Sequence, residues 1–134
     1  MYERKQIRLL VIDEQAGYYQ SLNSWAEMCA HEYPVVCKHI KSDEGVSKVI
    51  SEWGPSVVLI DAYLQDGDPF KFVDRCRAEP FQVIVMSNEH SQAIEDSARD
   101  HGAAGYLTKS EDPDDLEKLL SELAEVADCC QITH

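Results

Sequence analysis

The sequence predicts a doubly wound α/β fold: a five-stranded parallel sheet with helices on both faces. Short runs of β-branched and aliphatic residues alternate five times with segments whose apolar residues recur at helical spacing. The connections are short, and right-handed crossovers between such units imply parallel strands. Two of the runs, Leu9-Leu10-Val11-Ile12 and Val57-Val58-Leu59-Ile60, are apolar without interruption, the pattern of strands buried on both faces.

The first strand, Arg8 to Ile12, ends on Asp13 and Glu14. The helix after it carries Leu22, Trp25, Ala26 and Cys29 on one face and stops before Pro34. Val35 to Ile40 forms a second strand, and Ser42 is expected to cap a helix that buries Val46, Val49, Ile50 and Trp53 and closes at Gly54-Pro55. The third strand ends on Asp61 and is followed by a polar loop. Asp68-Pro69 reads as the N-cap and first position of a short helix bearing Phe70, Val73 and Cys76. Gln82 to Ser87 is the fourth strand; Ser91 caps the next helix and Gly102 ends it. Gly105 to Lys109 is the fifth strand, and the last helix has Asp112 as cap, Pro113 at its first position and Leu116, Leu119, Leu120, Leu123 and Ala127 along one face. With the two most apolar strands in the centre, the flavodoxin-like order 2-1-3-4-5 fits, and its switch point between the first and third strands brings Asp13, Glu14 and Asp61 together.

The 134 residues are expected to form one domain with its core over about 7–127, a C-terminal tail over 128–134 and no output domain, whether stand-alone or cut from a longer protein. Twelve Lys and Arg stand against 25 Asp and Glu, a net charge of −13. Such a surface repels phosphate backbones and anionic lipid, which argues against direct nucleic-acid or membrane binding. No apolar stretch approaches the ~18 residues of a membrane span, and the charged start lacks a signal segment, so the expected home is the cytoplasm. The cysteines, Cys29, Cys37, Cys76, Cys129 and Cys130, form no Cys-x-x-Cys pair and read as small apolar residues, with the vicinal pair at a frayed terminus. The histidines show no ligand spacing.

Three carboxylates at neighbouring strand ends repel one another by about 1 kcal/mol per pair at 4 Å in water and about 4 kcal/mol near a protein surface. They call for a counter-charge. An all-oxygen set favours magnesium, with manganese as the alternative. The other two strand ends offer Ser87, a hydroxyl donor, and Lys109, a point positive charge, both suited to phosphoryl oxygens. Taken singly, an acid at a strand end is most often a helix or loop cap, and a single lysine or serine there carries almost no information. Together they describe a phosphoryl-transfer site in which Asp61 forms an acyl phosphate.

With Asp13-Glu14, Asp61, Ser87 and Gly105-Tyr106-Leu107-Thr108-Lys109 at these strand ends, the sequence resembles the receiver domain of two-component response regulators over about residues 7–127. The resemblance implies that Asp61 accepts a phosphoryl group from a sensor histidine kinase or phosphotransfer protein. It implies that Asp13, Glu14, Asp61 and the backbone carbonyl of Tyr63 hold Mg2+, and that Ser87 and Lys109 bind the phosphoryl oxygens. Tyr106 would turn inward as Ser87 moves, remodelling the face of the fourth helix, fifth strand and fifth helix where partners or a second copy dock. It implies no enzyme beyond catalysis of the domain's own phosphorylation and dephosphorylation.

The sequence departs from that pattern in the loops. Gln65 and Pro69 stand where many receivers have proline and glycine, and Asn88 where alanine or glycine is frequent. Ser110 replaces the proline that usually follows the lysine through a cis bond. A cis bond before a non-proline residue costs about 2.5–4 kcal/mol, so the expectation is a trans Lys109-Ser110 bond with a rebuilt loop, or a strained cis one. These departures keep a second reading open, a receiver fold that docks partners without phosphorylation. A third, an aspartyl-nucleophile phosphohydrolase resembling haloacid dehalogenases, needs an acid two residues after Asp61, where Tyr63 stands.

Overall fold

The computed structural model describes residues 6–29, 34–42, 44–65, 67–110 and 112–132; the side chains at 124 and 126–132, Ala127 and the Cys129-Cys130 pair among them, lie outside that description. In chain order the elements are β1 Ile7–Ile12, α1 Gly17–Met28, β2 Val35–Ile40, α2 Val46–Trp53, β3 Val57–Asp61, α3 Pro69–Arg75, β4 Gln82–Ser87, α4 Gln92–His101, β5 Gly105–Thr108 and α5 Pro113–Ile132. The five strands are parallel, in the order β2-β1-β3-β4-β5, as the sequence pattern predicts.

The unbroken apolar strands have a simple cause. On β1, Ile7, Leu9 and Val11 join Val57 and Leu59 of β3 in a core with Tyr18, Leu22, Ala26, Leu116, Leu120 and Leu123 of α1 and α5. The alternate residues, Leu10 and Ile12 with Val58 and Ile60, meet Val46, Phe72, Val73 and Ala98 on the other face. Successive side chains of a strand point to opposite faces, so a strand covered twice has no polar position to spare.

Helix ends follow local chemistry where a capping side chain is at hand. Asp68 Oδ1 accepts from the amides of Phe70 and Lys71, and Ser91 Oγ accepts from Ile94 N. The expected Ser42 cap is corrected. Ser42 Oγ instead accepts from Glu44 N within the preceding turn, and α2 starts after Gly45, whose φ of +74° provides the left-handed step. α3 buries Phe72 with Val73, and Phe70, expected on the buried face, only packs against the core edge. α5 runs to Ile132, so residues 128–132 continue the helix where a tail was expected. β5 ends at Thr108, one residue before Lys109.

Burial, then the negative charge of Glu27, pushes the Cys37 thiol up to about 11. Burial, then Glu79, does the same for Cys76. Both are protonated at neutral pH and behave as small apolar groups, in line with the sequence reading.

Gly102 closes α4 at φ +103°, and a Cβ there would meet Arg77 Nε at 2.7 Å. That guanidinium binds the carbonyls of Asp100 and His101, each at 2.6 Å, joining the end of α4 to the α3–β4 turn. Gly102→Ala is therefore expected to destabilise the domain by about 1–3 kcal/mol, measured from urea midpoints. A smaller loss in an Arg77→Ala background would isolate the clash from the backbone strain.

Candidate functional site

Register builds the site. Ile12 of β1 lies beside Ile60 of β3, so Asp13 and Asp61 are lateral neighbours; Ser87 of β4 lies beside Thr108, so Lys109 follows at the same edge. A backbone bond from Lys109 N to Ser87 O, 2.8 Å, fixes that last step. The sheet thus delivers four predicted side chains, Asp13, Asp61, Ser87 and Lys109, to the carboxyl ends of its strands.

Lys109 Nζ donates to Asp13 Oδ2 at 2.6 Å and to Asp61 Oδ2 at 2.5 Å. The side chains of Lys109, Asp13 and Asp61 are only 7%, 3% and 13% exposed. Burial alone draws the ammonium down, but the hydrogen bonds it donates to Asp13 and Asp61, reinforced by their negative charge, outweigh it and hold Lys109 above the ordinary lysine value. The remaining carboxylate oxygens are occupied locally: Asp13 Oδ1 accepts from Gln15 N at 3.0 Å, and Asp61 Oδ1 from Tyr63 N at 2.8 Å. Glu14 does not join this cluster. Its Oε1 accepts from the amide of Gln65, tying the β1–α1 loop to the β3–α3 loop. Between those points Leu64 is buried in the core, which anchors the unusual loop.

Ser87 is 1% exposed, and its Oγ accepts from Glu89 N at 3.2 Å. The Tyr106 hydroxyl donates to Glu89 O at 2.7 Å, and His90 packs edge-on against its ring. Tyr63, by contrast, holds its side chain out at 68% exposure. Asn88, with Asp13, Gln15, Gly17, Tyr18, Lys109 and Ser110, lines a cleft of about 210 Å³ leading to the lysine. A larger groove of about 650 Å³ runs past Gly54, Pro55, Pro80 and Phe81 at the opposite ends of the strands, away from this chemistry. No cis peptide occurs among the described residues, so Lys109-Ser110 is trans. Beyond it, Ser110 Oγ accepts from Asp112 N at 3.1 Å.

One participant escaped the sequence pattern. His39 Nε2 lies 2.7 Å from Asp13 O, its ring stacked on Tyr19. Only the pairing of Val11 with His39 in the sheet places it there.

Among the described residues no group of three His, Cys, Asp or Glu side chains is placed to hold a metal ion. Two buried carboxylates converging on one cation do suit Mg2+, which takes one or two carboxylates and keeps several waters. The described residues include no helix long and apolar enough to cross a membrane.

The family described as response regulator receiver domain matches residues 9–121. No curated protein sequence matches the chain. Among solved structures it is similar to the receiver domain of a putative LuxO repressor protein from Vibrio parahaemolyticus, at 17% identity, TM-score 0.80, 97% of this chain and 98% of that one. It is similar to the receiver domain of a putative response regulator NarL from Mycobacterium tuberculosis, at 21% identity, TM-score 0.74, 90% of this chain and 98% of that one. A beryllofluoride-activated NtrC4 receiver domain, solved as a dimer, matches at 23% identity and TM-score 0.75 over 90% of this chain and 98% of that one. These identities bear on the fold.

Proposed function

Because the chain belongs to the response regulator receiver domain family, we propose that Asp61 is its phosphoryl acceptor, that Mg2+ assists the transfer, and that a sensor histidine kinase or phosphotransfer protein is the donor. The observation that carries this reading is the convergence of Asp13 and Asp61 on one buried lysine at the strand ends.

An oxygen of Asp61 forms the bond to phosphorus while the bond from phosphorus to the donor's imidazole nitrogen breaks. The electron pair leaves with the imidazole, which takes up a proton. Lys109 has three donors and spends two on Asp13 and Asp61, so a third remains for a phosphoryl oxygen. Ser87 accepts from Glu89 N, which leaves its own hydroxyl proton to donate. Neither residue has to surrender an existing bond. Asp13, Asp61, Glu14 and the Tyr63 carbonyl are the groups that would hold the metal, which supplies positive charge against the phosphoryl oxygens.

Tyr106 reports the state of the site. Its hydroxyl and Ser87 Oγ meet the carbonyl and amide of the same residue, Glu89, so a shift of the β4–α4 loop toward a phosphoryl group moves the tyrosine with it. The α4-β5-α5 face that it borders is where a partner or second copy would dock; a groove of about 470 Å³ lined by Tyr18, Tyr106, Leu107, Lys118 and Leu119 lies beside it, between α1, β5 and α5. Apart from its own phosphorylation and dephosphorylation, no catalysis is assigned.

Incubation with Mg2+ and acetyl phosphate or phosphoramidate, followed by intact-mass measurement, is expected to show one phosphoryl adduct. No adduct from these donors or from a cognate kinase would favour a docking module that works unphosphorylated. Access is expected to be modest. Tyr63→Asn combined with Asn88→Ala should raise the rates of small-donor phosphorylation and of hydrolysis by about two- to tenfold, under about 1.4 kcal/mol of barrier, read from the adduct time course. Since Tyr63 is largely exposed, most of that gain belongs to Asn88; unchanged rates would show that neither side chain restricts the mouth.

A further inference from the structure

We infer that Glu14 is a latch on the β3–α3 loop that Mg2+ must release, which makes Gln65 a determinant of metal affinity. The inference rests on reading the strand-end carboxylates as the magnesium site.

Glu14 follows Asp13 directly, yet its carboxylate is turned to the other loop, where Oε1 accepts from the Gln65 amide. Asp13 and Asp61 are left to face Lys109 as a pair, and no third acid joins them among the described residues. A carboxylate oxygen that accepts a backbone N–H is partly neutralised and held in direction, so drawing it toward a cation costs that bond. The far side of the latch is anchored. Leu64 is buried at 8% exposure beside Gln65, and the Asp61–Tyr63 turn precedes it, so the loop cannot follow Glu14 without disturbing the core.

The donor is a main-chain N–H, so the side chain of residue 65 matters only through whether it leaves that proton in place. Any residue but proline keeps the latch; proline deletes it. Position 65 therefore sets whether the second acid of the pair begins free or committed, and metal loading here is coupled to the conformation of the loop that follows the acceptor. In the resting protein the Glu14–Gln65 bond joins the two loops, and cation binding releases it.

Calorimetric Mg2+ titrations of the full chain test this in the wild type, Gln65→Pro, Glu14→Gln and the double variant. Gln65→Pro is expected to bind Mg2+ about three- to tenfold more tightly, and the gain is expected to vanish when Glu14→Gln is added. Equal or weaker binding by a folded Gln65→Pro protein overturns the inference. Should proline disturb the loop itself, amide exchange in the wild type provides a second measurement. Cation binding ordinarily slows exchange, but the Gln65 amide is expected to exchange at least about fivefold faster in saturating Mg2+ than without it; slower or unchanged exchange overturns the inference. A phosphoryl adduct with an unmoved Gln65 amide sinks the latch and leaves the phosphoacceptor reading standing. Absence of Mg2+ binding removes both the latch and the metal part of that reading.

Discussion

Asp61→Asn is expected to take up no phosphoryl group from acetyl phosphate, phosphoramidate or a kinase, while wild type gains one. The substitution keeps the shape of the side chain and removes its charge, and an amide oxygen is a far weaker nucleophile than a carboxylate. A loss of at least about a thousandfold in rate, about 4 kcal/mol of barrier, is the scale to look for. The fold should tolerate the change. The single amide oxygen can keep one of the two bonds that Asp61 accepts, from Tyr63 N or from Lys109 Nζ, and Lys109 keeps its 2.6 Å bond to Asp13. Stability within about 1 kcal/mol of wild type is expected. An adduct that persists in a folded Asp61→Asn protein would move the acceptor elsewhere.

Lys109→Met is expected to be the most destabilising substitution at the site. It leaves Asp13 and Asp61, almost wholly buried, without the cation they share. Removing one partner of a buried ion pair costs about 3–5 kcal/mol, because the charge left behind stays desolvated. The lower end applies, since Asp61 reaches some solvent. Mg2+ should return part of the loss by supplying the missing positive charge, so the urea midpoint of the variant should rise more with added Mg2+ than that of wild type. The pH dependence has a definite sign. Lys109 is held above its ordinary value in the folded protein, so its contribution is fully present below the unfolded lysine value of about 10.4 and is lost as pH rises through the higher folded value. The stability gap between wild type and Lys109→Met should therefore stay level as pH approaches that range from neutral and close above it. A gap that closed near neutral pH would mean that the lysine is not charged against this pair.

Local chemistry was legible in the chain. An amide donor needs an acceptor two or three residues away, so Asp68 and Ser91 declare their helices. Gly102 declares the end of one, because the left-handed step penalises any side chain. Ser42 misled for a related reason: a hydroxyl before an apolar run serves a turn as well as a cap, and Gly45 decided between them. Phe72 was missed because two phenylalanines straddle the face of a helix only Pro69–Arg75 long, too short for its period to show.

The unbroken apolar character of β1 and β3, with acids, a hydroxyl and a lysine at successive strand ends, was enough to specify the parallel sheet, its order and the strand ends at which Asp13, Asp61, Ser87 and Lys109 lie, but not that Glu14 turns away from them. These features depend on periodicity and on side-chain type, which a linear chain carries in full. Which oxygen meets which donor was decided by packing. Glu14 reaches Gln65, His39 reaches the Asp13 carbonyl and Tyr106 reaches the Glu89 carbonyl. Two of these three links end on a backbone carbonyl and the other on a backbone amide. Every residue type has a carbonyl and all but proline have the amide, so nothing in the sequence marks the residue that will be used. Only the register of strands far apart in the chain, and the loops they hold together, selects it.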